Sequence, residues 1–207
     1  MMKQIIYAGF LSVIMIIITA VADDTSVFIL QNRLKKISNF YVHFVQKVVN
    51  SDNNTILESH GELWVKRPNL FNWHMISPEE NFLISDGKTL WFYIPSIKQA
   101  TAYWLHDFSD NIFFMLFFSD NVYSWNEYVV SQQGDFFSLI PVGNNFDLKE
   151  CRIEITACGS IERFSIFEEK GQRVDYYLLN KKSNNSIDIS KFDFIPSEDI
   201  QLDDQRK

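Results

Sequence analysis

The side chains able to do chemistry are few and stand apart from one another. His43, His60, His74 and His106 are scattered, and none stands in a recognised nucleophile or metal-ligand pattern. No G-x-S-x-G, H-E-x-x-H, P-loop or G-x-G-x-x-G motif occurs. The acidic pairs Glu79-Glu80, Glu168-Glu169 and Asp203-Asp204 sit beside turn residues or in a polar tail, not in a cluster suited to general acid and base work. Cys151 and Cys158 lie on what reads as a strand running into a turn. Their extended path is roughly 20 Å against the less than about 7 Å that a disulfide needs, so they are not expected to bridge. Without a supporting His pair they also make a poor zinc site. The side chain with the most distinctive placement is Arg67, in "LWVKRPNLFNWHM" (63–75), where one cation separates two apolar runs. A catalytic electrophile, an anion hook, a plain surface charge and part of a latch are all compatible with that spacing.

The elements that must position Arg67 follow from periodicity. Residues 1–22 combine Lys3, an almost continuous apolar run from Ile5 to Ile18 and a small-x-small site at Ala20-Val21-Ala22. This predicts a secretory signal peptide cleaved after Ala22, and Asp23, where a lipid-modified protein carries Cys, argues against a lipid anchor. Removing Lys3 with that segment takes the net charge from −7 to −8 and leaves one domain, 23–207. Lys35-Lys36 and Lys181-Lys182 are isolated basic pairs without aromatic stacking platforms, so nucleic acid is not a partner. Val27, Leu30, Leu34 and Ile37 recur at helical spacing and predict an amphipathic helix ending near Asn39. From Phe40 the period becomes two, with Phe40, Val42, Phe44 and Val48 on one side and Leu63 and Val65 opposing Glu62, Trp64 and Lys66. Asp86-Gly87 marks a hairpin, and short strands joined by tight turns continue to Leu179, which predicts an antiparallel meander. Past the break at Arg67-Pro68-Asn69, Phe71, Trp73 and Met75 share a face and are expected to point inward.

One segment interrupts the strands. Ile112 to Phe118 carries no polar residue, is too short to span a membrane, and as a helix must be covered on every face or cover something apolar. The chain also holds 19 Phe, 8 Tyr and 5 Trp. Either these build a Phe-rich core, or the sheet has a concave face larger than its own side chains fill.

Longer motifs bear on this. Glu62 to Met75 ("ELWVKRPNLFNWHM"), Pro78-Glu79-Glu80, "SDGKTLWFY" at Ser85–Tyr93, "QATA" at Gln99–Ala102, "FML" at Phe114–Leu116 and "DDQRK" at Asp203–Lys207 resemble the LolA family of periplasmic outer-membrane lipoprotein carriers. The resemblance implies a mainly β, α+β fold: an incomplete antiparallel β-barrel with an α-helical lid over an apolar cavity. It implies a monomer without metal, cofactor or catalysis. Such a carrier takes acylated lipoproteins from an inner-membrane lipoprotein-releasing ABC transporter and passes them to an outer-membrane lipoprotein receptor. Carried over by position, Arg67 is the lid latch, and Phe113, Phe114, Met115, Leu116 and Phe117 are the lid. The expected cavity lining is Phe44, Leu63, Val65, Phe71, Trp73, Met75, Trp91 and Tyr93. Phe113 stands where the family pattern has Pro, and the two cysteines lie outside that pattern.

Overall fold

The computed structural model describes residues 24–37, 39–108, 112, 116, 123–143, 147–183 and 187–207. Among these residues helix α1 (Asp24–Leu34) precedes twelve strands: β1 (Phe40–Val49), β2 (Thr55–Lys66), β3 (Leu70–Ser77), β4 (Asn81–Asp86), β5 (Thr89–Ile94), β6 (Gln99–Trp104), β7 (Tyr128–Gln133), β8 (Phe136–Pro141), β9 (Leu148–Ile155), β10 (Ile161–Glu168), β11 (Arg173–Ser183) and β12 (Gln201–Asp204). The expected signal peptide lies outside the described residues. α1 stops five residues before Asn39, because Lys36 and Ile37 donate their N–H groups to Arg33 and Leu34 in the tighter three-residue spacing that closes a helix.

The strands form a single open sheet in the order β12-β6-β5-β4-β3-β2-β1-β11-β10-β9-β8-β7. This is two meanders rather than one, β1 to β6 and β7 to β11, joined where β1 pairs antiparallel with β11. The chain between β6 and β7 must therefore travel from one side of the sheet to the other, and that passage contains the apolar segment around Ile112–Phe118. The tail also departs from the sequence expectation. Asp203 and Asp204 belong to β12, which pairs parallel with β6, and parallel pairing requires the long return over 187–200.

Turn chemistry fixes the register. The hairpin between β4 and β5 is made by Gly87 and Lys88, not Asp86 and Gly87. Gly87 alone takes a positive φ, 92°, while the Asp86 carboxylate accepts the N–H groups of Lys88 and Thr89 at 2.8 and 2.7 Å. That register pairs Ser85 with Leu90 and Leu83 with Phe92.

Alternation then sorts the side chains onto two faces. One face carries the main core: Leu30 and Leu34 of α1, with Phe40, Val42, Phe44, Leu63, Val65, Phe71 and Trp73 from one half of the sheet and Phe137, Leu139, Ile153 and Phe164 from the other. The opposite face carries a smaller cluster of Ile84, Trp91 and Ala102, against which Phe82 and Phe194 pack. The 187–200 segment covers this second face, with Phe192 fully buried and Asn72 donating to the Lys191 carbonyl at 2.7 Å.

Candidate functional site

The inner face of β1 to β6 is built in cross-strand rows. Phe40, Val65, Phe71, Ser85, Leu90 and Tyr103 are successive partners across six strands, and Val42, Leu63, Trp73, Leu83 and Phe92 form the next row. A third row, Phe44, Gly61 and Met75, explains a glycine in mid-strand. A Cβ on Gly61 would collide with the Phe44 ring and the His74 carbonyl, so its absence lets that ring lie over the strand. Phe44 then meets Trp73 with ring centroids 4.1 Å apart, and Trp73 meets Tyr176 of β11 edge-on at 5.6 Å. Burial pushes the Tyr176 phenol up to about 12. The result is a continuous wall of aliphatic and aromatic carbon with almost no polar atoms.

What covers this wall is not part of the sheet. Leu30 and Leu34 of α1 share the main cluster with it, as do Ile112 and Leu116, 6% and 1% exposed. Phe113, Phe114, Met115 and Phe117 of the expected lid lie outside the described residues.

Arg67 sits at the junction of wall and cover. It occupies the β2–β3 turn, where the Arg67–Pro68 peptide is cis and Asn69 takes φ 65°. Ser85, fully buried, donates to the Asn69 carbonyl at 2.6 Å and holds the turn against β4. The Arg67 guanidinium donates from Nη1 to the Leu34 carbonyl at 2.7 Å, and its backbone N–H donates to Asn39 Oδ1 at 3.2 Å. Leu34 is the last residue of α1, where carbonyls lack intrahelical partners and the helix dipole presents its negative end. This charge-assisted bond therefore joins the strand wall to the helical cover.

The structure brings together six of the eight residues expected to line the cavity. Phe44, Leu63, Val65, Phe71 and Trp73 belong to the main cluster, and Met75 packs against it. Trp91 and Tyr93 do not join them. Trp91 pairs across the sheet with Ile84 and Ala102, and both rings meet Phe194 at a tilt, with centroids 5.4 and 5.0 Å apart, on the opposite face. Alternation within β5 turns Leu90 and Phe92 inward instead. Leu90 and Phe92 are thus positions that sequence reasoning missed, and the signal for them was parity counted from the Gly87–Lys88 turn. Gly61 was also missed; an isolated glycine between apolar strand residues was its only mark.

The groups that could act in catalysis remain dispersed. His74 lies 2.9 Å from Glu80 and His60 3.4 Å from Glu58, both on the outer side or rim. Tyr41 donates to Glu62 at 2.7 Å and lies 3.1 Å from His43, and burial together with that carboxylate pushes its phenol up to about 12. Cys151 is buried, which raises its thiol to about 12, whereas Cys158 is exposed, and the two are not bonded to each other. Among the described residues no three potential ligands gather into a metal site.

Comparison with known proteins gives a consistent picture. The family model of the outer membrane lipoprotein carrier protein LolA matches residues 35–195. The chain is 46% identical over 188 residues to the outer-membrane lipoprotein carrier protein of Sodalis glossinidius, covering 91% of each chain. It is 49% identical over 177 residues to that of Yersinia pestis, covering 86% of this chain and 87% of the other. Among solved structures, an uncharacterized conserved protein from Thermus thermophilus superposes with a TM-score of 0.56 at 18% identity, covering 88% of this chain and all of that one, a likeness of fold alone.

Proposed function

The chain belongs to the LolA family of outer membrane lipoprotein carriers, and from that membership we propose that it ferries acylated lipoproteins through the periplasm between its inner wall and its helical cover. The observation that carries this reading is the Arg67 to Leu34 bond, which joins a fixed apolar wall to a cover outside the strand ladder. Residues 1–22 direct export and are removed after Ala22, leaving one carrier domain, 23–207. The partners are an ATP-driven lipoprotein-releasing transporter of the inner membrane and a lipoprotein receptor at the outer membrane. No covalent step is involved.

Energies favour such a device. Burying one methylene yields about 0.8 kcal/mol, so a sixteen-carbon acyl chain gains roughly 12 kcal/mol on leaving water. A hydrogen bond from a charged donor contributes about 1.5–3 kcal/mol. In the closed state the wall is already covered by α1, Ile112 and Leu116, so an entering chain replaces apolar contacts rather than creating all of them. The net gain is smaller than the gross figure, which keeps release within reach of the receptor. Arg67 holds the empty protein shut and is weak enough for an acyl chain to displace. Phe71, beside the β2–β3 turn and paired with Val65, belongs to the row of the wall at the Arg67 end of the strands.

The test is transfer in a reconstituted system of transporter, carrier and receptor. Arg67→Leu is expected to fold normally and to load or release lipoprotein abnormally, because the cover equilibrium shifts toward open. Wild-type loading and release by this variant would remove the latch.

A further inference from the structure

We infer that Arg33 is a second positioning residue that pins α1 to the β7–β10 half of the sheet, so that opening occurs only on the Arg67 side. This rests on the carrier reading above and adds which way the cover moves.

The last turn of α1 touches both halves of the open sheet through neighbouring residues. The Leu34 carbonyl faces Arg67 on the β1–β6 half. Arg33, one residue earlier, reaches the other way: its Nη1 donates to Asp135 Oδ1 in the β7–β8 turn and to the Ile155 carbonyl at the end of β9, both at 2.6 Å. Its guanidinium also lies 5.2 Å over the Phe137 ring, and the side chain is only 13% exposed. Two further contacts fall on the same half. Lys36 donates from Nζ to the Ala157 carbonyl at 2.8 Å. Gly159, at φ 89°, brings the β9–β10 turn so close that a Cβ there would lie 2.8 Å from the Arg33 carbonyl oxygen.

The two attachments differ in chemistry. The described bond from Arg67 ends on a neutral carbonyl, whereas Arg33 joins a full carboxylate, a carbonyl and an aromatic face in a largely desolvated position. A buried guanidinium whose carboxylate is taken away leaves an uncompensated charge, so this side resists separation. When an acyl chain enters, the bond to Leu34 is the one that yields, and α1 travels with β7–β10.

Spin-label distances in the full mature chain test this. With Cys158→Ser to remove the exposed thiol, labels are placed at Phe28→Cys on the exposed side of α1 and at either Lys88→Cys or Gln133→Cys, one on each half of the sheet. A synthetic palmitoylated lipopeptide serves as cargo. Loading is expected to lengthen the 28–88 distance and leave the 28–133 distance in place. In Arg33→Gln, or in Asp135→Asn where the altered carboxylate is half exposed and the fold is spared, the 28–133 distribution should shift and broaden on loading. A 28–133 distance that lengthens in the parent protein, or that stays fixed in both variants, overturns the role of Arg33 alone. A 28–88 distance that does not change on loading overturns the Arg67 latch, and this inference with it.

Discussion

The sheet carries an aromatic cluster on each face, and the two are covered in different ways. The inner wall of Phe44, Trp73 and Tyr176 is covered by α1 and by Ile112 and Leu116, elements that add nothing to the strand ladder. The outer cluster of Trp91, Tyr93 and Phe194 is covered by a segment that ends in the ladder itself, as β12 paired with β6. That cover is tied further by the Gln201 and Gln205 N–H groups to the carbonyls of Lys98 and Ala102, and by Arg206 over the Trp91 and Trp104 rings at 5.3 and 5.5 Å. A cover continuous with the sheet comes off only when the sheet does. One held by a few side-chain bonds can leave while the strands remain. In the carrier function proposed above, the same kind of apolar surface serves as core on one face and as binding wall on the other, and the attachment of its cover decides which.

The largest effect that bears on this contrast is expected at Trp91. Trp91→Ala should cost about 3–5 kcal/mol of stability in chemical denaturation, as for other large buried aromatics, while leaving the affinity of the folded protein for an acyl probe unchanged. Weaker acyl binding would move Trp91 back into the cavity. Gly61→Ala should cost less, about 1–3 kcal/mol, because the new methyl displaces the Phe44 ring and crowds the His74 carbonyl. Its signature is a lower acyl capacity per folded molecule in addition to that loss of stability, and an unaltered capacity would detach the Phe44 row from the binding wall.

The smallest effect is seen only in alkali. Tyr176 faces the inner wall with its phenol raised from 10.0 to about 12. A group whose folded value is raised contributes stability that is complete below pH 10 and is lost as the pH climbs toward 12. Cys151 and Tyr41 are raised to about 12 as well, so the folded protein should weaken progressively above its neutral range. Tyr176→Phe removes one of the three contributions and should flatten the fall in melting temperature between pH 10 and 12. A slope equal to that of the parent would mean that this ring meets water in the closed state.

Much of the fold was legible because period and turn chemistry act locally. The two-residue period from Phe40 to Val48 and the parity of Phe71, Trp73 and Met75 are properties of short stretches, and of the seven residues named in those runs Phe40, Val42, Phe44, Phe71 and Trp73 belong to the main cluster, with Met75 packed against it. What was not legible depends on distant partners. The split into two meanders is set by which strand meets β1 after the long passage from β6, and the pairing of β12 with β6 by a return over the outer face. The misplacement of Trp91 and Tyr93 has the same origin: hydrophobicity says that a side chain is buried, but only register says on which face. The helix end at Leu34 rather than Asn39 reflects tertiary contact, since Ile37 keeps the helical apolar spacing yet is buried from a turn. Arg67 was recognisable as a break between apolar runs, whereas its acceptor, a carbonyl 33 residues away, carries no mark in the sequence.

The most direct test of the inner wall as the acyl site is photocrosslinking from two positions of similar size on opposite faces. A photoreactive phenylalanine analogue at Phe71 and, separately, at Tyr93 is irradiated with bound palmitoylated lipopeptide, and the adducts are read by mass spectrometry. Crosslinks to the acyl chain from position 71 and none from position 93 are predicted. Crosslinks from position 93, or none from position 71 in a loaded protein, would contradict the assignment of the inner face.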